Sequence, residues 1–297
     1  MEVITQKILL PNSPVELYIR REDLIHPFVS GNKFRKLKYN LIQAKNENKT
    51  TLVTFGGAFS NHIAAVAYAG KENGFETIGI IRGDELQSKT QKNPTLQFAN
   101  DCGMEFEFVT RESYKNKENN VDFSNKYGDC YLIPEGGTNE LAVMGCEEIL
   151  NESDNRYDYI CCAVGTGGTI SGIINSAGSH QKIIGFPALK GDFLQKEIYK
   201  FAKKNNWELN TEYDFGGYAK VTPQLIEFIN NFYRENAIPL DPIYTGKTVF
   251  GVMDLASKGY FPENAKILVI HTGGLQGIKG MNMKLKNKGL SLIDYDI

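Results

Sequence analysis

The stretch Tyr159-Ile160-Cys161-Cys162-Ala163-Val164-Gly165-Thr166-Gly167-Gly168-Thr169-Ile170-Ser171-Gly172-Ile173-Ile174 reads as a buried strand, a glycine turn and the start of a helix. Glycines let backbone N–H groups approach a ligand without a Cβ in the way, and a helix N-terminus adds unpaired donors and a favourable dipole. Gly165 to Thr169 is therefore a candidate anion cup, with an ordinary tight turn as the competing reading. A dinucleotide site would need a third glycine where Ile170 stands, and no acidic ribose partner is evident. Gly246-Lys247-Thr248 imitates a nucleotide P-loop, but the leading glycine of that motif falls at Asp241, with Pro242 inside the loop. What remains is a smaller phosphate-bearing group.

Working outward, Thr51-Leu52-Val53-Thr54-Phe55, Gly56-Gly57 and Ser60 make a second strand, turn and helix cap, ahead of an alanine-rich helix from Asn61 to Gly70. Phe34, Leu37, Leu41 and Ala44 recur at helical spacing, so Asn32 is expected to cap a helix that begins beside Lys33. Further strands are expected at Thr77 to Ile81, Glu105 to Val109, Lys182 to Phe186 and Lys266 to Ile270. Helices are expected after Asn93-Pro94 and over Glu140 to Leu150, Phe193 to Asn205, Pro223 to Asn236 and Thr248 to Lys258. Such alternation predicts the α/β class, with mostly parallel sheets covered by helices. At 297 residues the chain exceeds one ordinary core. Two lobes are expected, a larger one from residues 1–48 and 148–297 and a smaller one from 49–147, with the site in the cleft between them. Arg111 to Asp129 is polar and carries no chemistry that can be named.

Lys and Arg total 33 against 35 Asp and Glu, a formal charge of −2 that argues against nucleic acid as a partner and favours a small molecule. Cys102, Cys130, Cys146, Cys161 and Cys162 show neither C-x-x-C nor paired ligand spacing and read as structural, in a reducing compartment. The four histidines have no ligand spacing, so no metal is expected. Between Met1 and Pro14 the only apolar run is Ile8-Leu9-Leu10, and no stretch reaches membrane-spanning length. A cytoplasmic protein away from membranes is the expectation.

Lys33 lies in Ser30-Gly31-Asn32-Lys33-Phe34-Arg35-Lys36, where an isolated lysine would ordinarily be solvated. Ser60-Asn61-His62 at a helix start offers hydroxyl, amide, imidazole and backbone donors to a carboxylate, although a simple cap would explain the serine. Together with Arg21-Glu22-Asp23-Leu24, Pro134-Glu135-Gly136-Gly137-Thr138-Asn139, the Gly165 turn and Tyr244-Thr245-Gly246-Lys247, these motifs follow one order along most of the chain. The set resembles the 1-aminocyclopropane-1-carboxylate deaminase and D-cysteine desulfhydrase family, within the tryptophan-synthase-β-like, fold type II pyridoxal phosphate enzymes.

That resemblance implies pyridoxal 5'-phosphate held covalently by Lys33, with its phosphate on the backbone of Gly165, Thr166, Gly167, Gly168 and Thr169. Asn61 would face the ring hydroxyl, Tyr244 would lie by the ring, and Thr245 and Thr272 would stand at the ring nitrogen. Phe59, Ser60, Asn61 and His62 would line the place of the substrate carboxylate, Ser60 and the neighbouring amides receiving it or assisting proton movement. Tyr218 would be a second active-site tyrosine, either it or Tyr244 donating a proton to the leaving group, and Lys33 would remove the Cα proton. The deaminase branch carries glutamate where Thr245 stands and leucine where Thr272 stands. A carboxylate there favours a protonated ring nitrogen, whereas a threonine hydroxyl can hydrogen-bond a neutral one. Both threonines lean towards the desulfhydrase branch, which converts D-cysteine to pyruvate, ammonia and hydrogen sulfide. Phe59 departs from the glutamine usual in that branch and would admit a different D-amino acid or a β-substituted alanine. The alternatives are a cyclopropane deaminase giving 2-oxobutyrate and ammonia, or a non-catalytic binder of the cofactor or another phosphate ligand. The family also implies a homodimer.

Overall fold

The computed structural model describes residues 3–11, 13–115, 123–191 and 193–295. Along the chain, β1 (Thr5–Ile8) and β2 (Glu16–Arg20) precede α1 (Asn32–Asn46), β3 (Thr51–Gly56), α2 (Asn61–Asn73), β4 (Glu76–Arg82), α3 (Pro94–Asp101) and β5 (Met104–Val109). Then come α4 (Arg111–Lys115), α5 (Phe123–Tyr127), β6 (Cys130–Ile133), α6 (Glu140–Glu147), β7 (Tyr159–Val164), α7 (Gly168–Ser176), β8 (Lys182–Pro187) and α8 (Phe193–Tyr199). The chain ends with β9 (Trp207–Leu209), α9 (Pro223–Asn236), α10 (Thr245–Ser257), β10 (Lys266–Ile270) and α11 (Gly277–Asn287).

Two sheets result, a six-stranded one in the order β1-β2-β10-β7-β8-β9 and a four-stranded one in the order β5-β4-β3-β6. Every pairing is parallel except β1 with β2. Parallel strands need crossovers that cover both faces, which is why β3 is buried at all six positions and reads as an unbroken run rather than an alternation. Leu52, Val53 and Phe55 are fully buried there, each side chain contributing about 1.5–3 kcal/mol. In each sheet the order reverses direction at one place, between β3 and β6 in the smaller and between β7 and β10 in the larger. Ligands of open α/β sheets bind beyond the carboxyl ends of strands at such switch points. The four loops that leave these strands therefore mark the site.

Several elements depart from the sequence expectation, each for a local reason. Asn32 does not cap α1; Gly31 does, with φ 61°, and the Asn32 amide instead donates to Thr169 Oγ1 at 2.8 Å. The helix from Glu140 stops at Glu147, because Asn151 and Asp154 form a capping box that starts a 3-10 turn. The helix from Phe193 stops at Tyr199, where Asn175 takes the Phe201 carbonyl and the Lys203 N–H into its own side-chain bonds. In contrast, α10 begins three residues before the expected Thr248, and Gly246 and Lys247 lie within it rather than in a phosphate loop. The polar segment after Arg111 is anchored by Tyr114, which is 3% exposed and meets Phe55 edge-on, while its residues 116–122 lie outside the described ones. Strands β1, β2, β6 and β9 and helices α4, α5 and α11 went unanticipated. Among the described residues no helix is long and apolar enough to cross a membrane, and no cluster of His, Cys, Asp or Glu could hold a metal ion.

Candidate active site

Four helix N-termini supply the site: α1 with Lys33, α2 with Ser60 and Asn61, α7 with the glycine turn, and α10 with Tyr244. Each start leaves backbone N–H groups without intrahelical partners, so together they make the cleft electropositive before any side chain is counted. They are tied to one another. A Cβ built on Gly31 would fall 2.1 Å from the Thr272 carbonyl, to which the Asn32 N–H donates at 3.3 Å, so α1 can lie against β10 only with glycine there. Gly167 caps α7 with φ 87°, a conformation costly for other residues. The Tyr244 ring covers Gly165, and a Cβ built on Gly274 would fall 2.9 Å from Asn61 Nδ2 and 3.5 Å from Asp241 Cγ.

Lys33 is half-buried, and its amine donates to Asn32 Oδ1 at 3.2 Å. Desolvation lowers its pKa to about 8, against the pull of Cys146 and Asp241. Lys36, one helical turn on and 2% exposed, donates to the Gly136 carbonyl and Thr138 Oγ1 at 2.9 Å and to Thr166 Oγ1 at 3.3 Å. Burial, with the Lys33 charge beside it, lowers its pKa to about 7. A Cβ built on Gly168 would meet the Lys36 stem at 3.3 Å, so this ammonium stands at the glycine turn. Sequence reading gave Lys36 no role; the spacing of three from Lys33 on one helix was the available signal.

Ser60 Oγ caps α2, accepting from His62 N at 3.2 Å and Ile63 N at 3.3 Å. Asn61 Oδ1 is buried without a hydrogen-bond partner among the described residues. His62 is placed differently from expectation: it is 2% exposed, behind the helix start, and Nε2 bonds Thr54 Oγ1 at 2.8 Å. That hydroxyl also lies 3.0 Å from the Ile133 carbonyl, to which it can donate, and the Pro134 backbone lies by the buried ring. Desolvation and the two nearby lysine charges hold the His62 pKa well below 6.5, so the ring is neutral. Phe59 is 49% exposed and lies across Gly280 of α11, where a Cβ would come within 2.6 Å of its ring.

Asp241 is the other residue that sequence reading passed over, noticing it only as a misplaced position in a P-loop pattern. It is 1% exposed and its carboxylate accepts from Ile243 N, Tyr244 N, Thr245 N and Thr245 Oγ1, between 2.8 and 3.0 Å. Burial raises its pKa against the opposing pull of these four donors, which fill both oxygens and leave it nothing to offer a ligand. Thr245 Oγ1 in turn accepts from Asp241 N at 2.8 Å. The Thr245 proton is thus committed, and of the two threonines only Thr272 has a hydroxyl free to donate, with no partner among the described residues. Tyr244 and Tyr218 meet edge-on, ring centroids 6.4 Å apart, and burial raises both phenol pKa values, so both hydroxyls keep their protons. Cavities of about 360 Å³ beside Asp158 and about 560 Å³ beside Arg156 lie away from these loops, and neither gathers comparable chemistry.

Comparison with known proteins places the chain in a family. A family model described as pyridoxal-phosphate dependent enzyme matches residues 3–273. A putative 1-aminocyclopropane-1-carboxylate deaminase of Pyrococcus furiosus is 32% identical, the match covering 88% of this chain and 85% of the relative. A mitochondrial bifunctional D-cysteine desulfhydrase/1-aminocyclopropane-1-carboxylate deaminase of Arabidopsis thaliana is 31% identical over 91% of this chain and 74% of its own length. The solved structure of an ACC deaminase homologue superposes with a TM-score of 0.83 at 29% identity, covering 97% of this chain and 94% of the other. The chain belongs to the pyridoxal-phosphate dependent enzymes of fold type II and, within them, to the 1-aminocyclopropane-1-carboxylate deaminase and D-cysteine desulfhydrase family.

Proposed function

We propose that the chain eliminates the β-thiolate of D-cysteine, yielding pyruvate, ammonia and hydrogen sulfide. Its residues fit the family's cofactor. Lys33 presents a desolvated amine, Asn61 Oδ1 is an acceptor awaiting a hydroxyl, and Lys36 with the N-terminus of α7 makes a cationic cup for a phosphate. Pyridoxal phosphate, when bound, supplies an electron sink for charge developing at the substrate Cα.

The observation that carries the choice of D-cysteine is the donor arrangement at Asp241, Thr245 and Thr272. The buried carboxylate is saturated by protein donors, and Thr272, the other threonine that the family resemblance sets at the ring nitrogen, keeps a neutral hydroxyl without a partner among the described residues. A hydroxyl donor suits a neutral ring nitrogen and a weaker sink, adequate for expelling a thiolate, whereas opening a cyclopropane without first removing a Cα proton calls for more. The chain's own groups have matching tasks. Backbone donors around Ser60 and Asn61 receive the substrate carboxylate. Lys33 accepts the Cα proton, its lowered pKa making the free amine accessible near neutrality. Tyr218, protonated, 42% exposed and edge-on to Tyr244, donates a proton to the departing sulfur.

Incubating the protein with D-cysteine, L-cysteine and 1-aminocyclopropane-1-carboxylate, and measuring pyruvate, sulfide and 2-oxobutyrate, tests this. Pyruvate with equimolar sulfide from D-cysteine is expected. Formation of 2-oxobutyrate alone would overturn the assignment and favour the cyclopropane amino acid, the substrate named for several relatives.

A further inference from the structure

Lys247 is 2% exposed inside α10, yet among the described residues its ammonium meets no carboxylate within hydrogen-bond reach. It donates to two backbone carbonyls instead, Asp214 O at 2.7 Å and Gly217 O at 2.9 Å. A buried cation satisfied by carbonyls alone is a costly way to pack a helix, where an apolar side chain of the same length would serve stability better. The two carbonyls bracket the turn that presents Tyr218.

That turn does not hold its shape unaided. Phe215, Gly216, Gly217 and Ala219 have φ of 52°, 95°, 104° and 54°, and the two without glycine's freedom each oppose this conformation. Internal bonds close it locally, Gly216 N to Asp214 Oδ1 at 2.7 Å and Gly217 N to Asp214 O at 3.0 Å. From outside, Phe215 rests edge-on against Phe250 of α10 and Lys284 of α11 donates to Ala219 O at 3.0 Å. Among the described residues only the Lys247 side chain reaches both carbonyls. It also lies three residues beyond Tyr244, the cap of the same helix, so α10 sets the positions of both tyrosine rings.

We propose that Lys247 is a positioning residue for Tyr218, acting through the backbone of residues 214–217. This rests on the reading of Tyr218 as the proton donor. The holoenzyme is prepared as wild type, Lys247→Met, Lys247→Gln, Tyr218→Phe and the Lys247→Met, Tyr218→Phe double variant, and steady-state kinetics are measured on whichever family substrate the wild type turns over. Lys247→Met is expected to lower kcat by about 10- to 100-fold with a smaller change in KM, as displacement of a reacting group by about 1 Å does. Lys247→Gln, which keeps N–H donors, recovers part of that loss and stands in if the methionine variant fails to fold. In the Tyr218→Phe background the Lys247 substitution should cost nothing further, and trypsin should cut faster after Lys220 in Lys247→Met than in wild type. Equal losses in both backgrounds, or an unchanged kcat, would overturn the inference. An unchanged kcat in Tyr218→Phe alone would instead remove the proton-donor reading on which it stands.

Discussion

Replacing Lys36 by methionine should have opposite effects on the protein without cofactor and on its grip on the cofactor. Without cofactor the Lys36 ammonium is buried against two hydroxyls and one carbonyl, and its pKa is lowered from 10.5 to about 7. That difference corresponds to a preference for the neutral amine on the order of 5 kcal/mol. The unfolded chain binds the extra proton between those two values, so this group opposes folding most below pH about 7, and its penalty fades as pH rises towards 10.5. Methionine keeps the length of the stem. Thr138 and Thr166 already bond each other, so the Gly136 carbonyl is the main acceptor left short of a donor. Lys36→Met apoprotein should therefore be more stable than wild type at neutral pH by roughly 1–3 kcal/mol, the gain vanishing near pH 10. Facing a phosphate, the same ammonium contributes about 1.5–3 kcal/mol, so cofactor affinity should fall about 10- to 150-fold in the variant. Denaturant unfolding of both apoproteins from pH 6 to 10, with spectroscopic titration of pyridoxal phosphate, measures the two effects. Equal destabilisation of the variant across that pH range, or an unchanged affinity, would refute the placement of Lys36 in the phosphate cup.

Other consequences are as direct. Capture of the cofactor needs the neutral Lys33 amine, whose pKa is about 8, so the rate of reconstitution should rise about tenfold per pH unit below that value and level off above it; Lys33→Ala should leave no borohydride-fixed cofactor. Gly31→Ala places a Cβ against the Thr272 carbonyl at positive φ and should cost more than about 2 kcal/mol in urea unfolding. Ser60→Ala removes the cap on His62 and Ile63 and should cost about 1 kcal/mol of stability, while turnover falls by a far larger factor. Tyr218→Phe should lower kcat about 10²- to 10⁴-fold with little change in KM, and a kcat near wild type would exclude it as the acid.

The parts of the fold legible in the sequence are those decided by neighbours in the chain. Ser60 and the Asn93-Pro94 pair start their helices where expected because capping is chemistry within three residues. Asn32 offered the same signal and failed, since Thr169, brought close only by the fold, claims its amide. The three-residue strand β9 had no pattern of its own and exists as an edge added to β8. The site divides in the same way. The glycine turn, Ser60 and the Tyr244 motif announce themselves by composition, whereas Lys36 and Asp241 acquire meaning only from burial, one among hydroxyls and the other among N–H donors. His62 shows the converse: adjacency to Ser60 suggested a substrate contact, but the helix turns its ring into the core.

The pairing of β2 with β10, Leu17 beside Ile267 and Ile19 beside Val269, has a consequence for how the chain assembles. All four strands of the smaller sheet lie between Thr51 and Ile133, so that sheet can close while the rest of the chain is still being made. Until Lys266 to Ile270 is available, β2 has a partner on one side only, and Leu17 and Ile19, both fully buried at the end, stand along an open edge. Contacts this distant in sequence form late and leave sticky intermediates behind them. A chain cut anywhere before Lys266 should accordingly aggregate through that edge rather than survive as a smaller working enzyme.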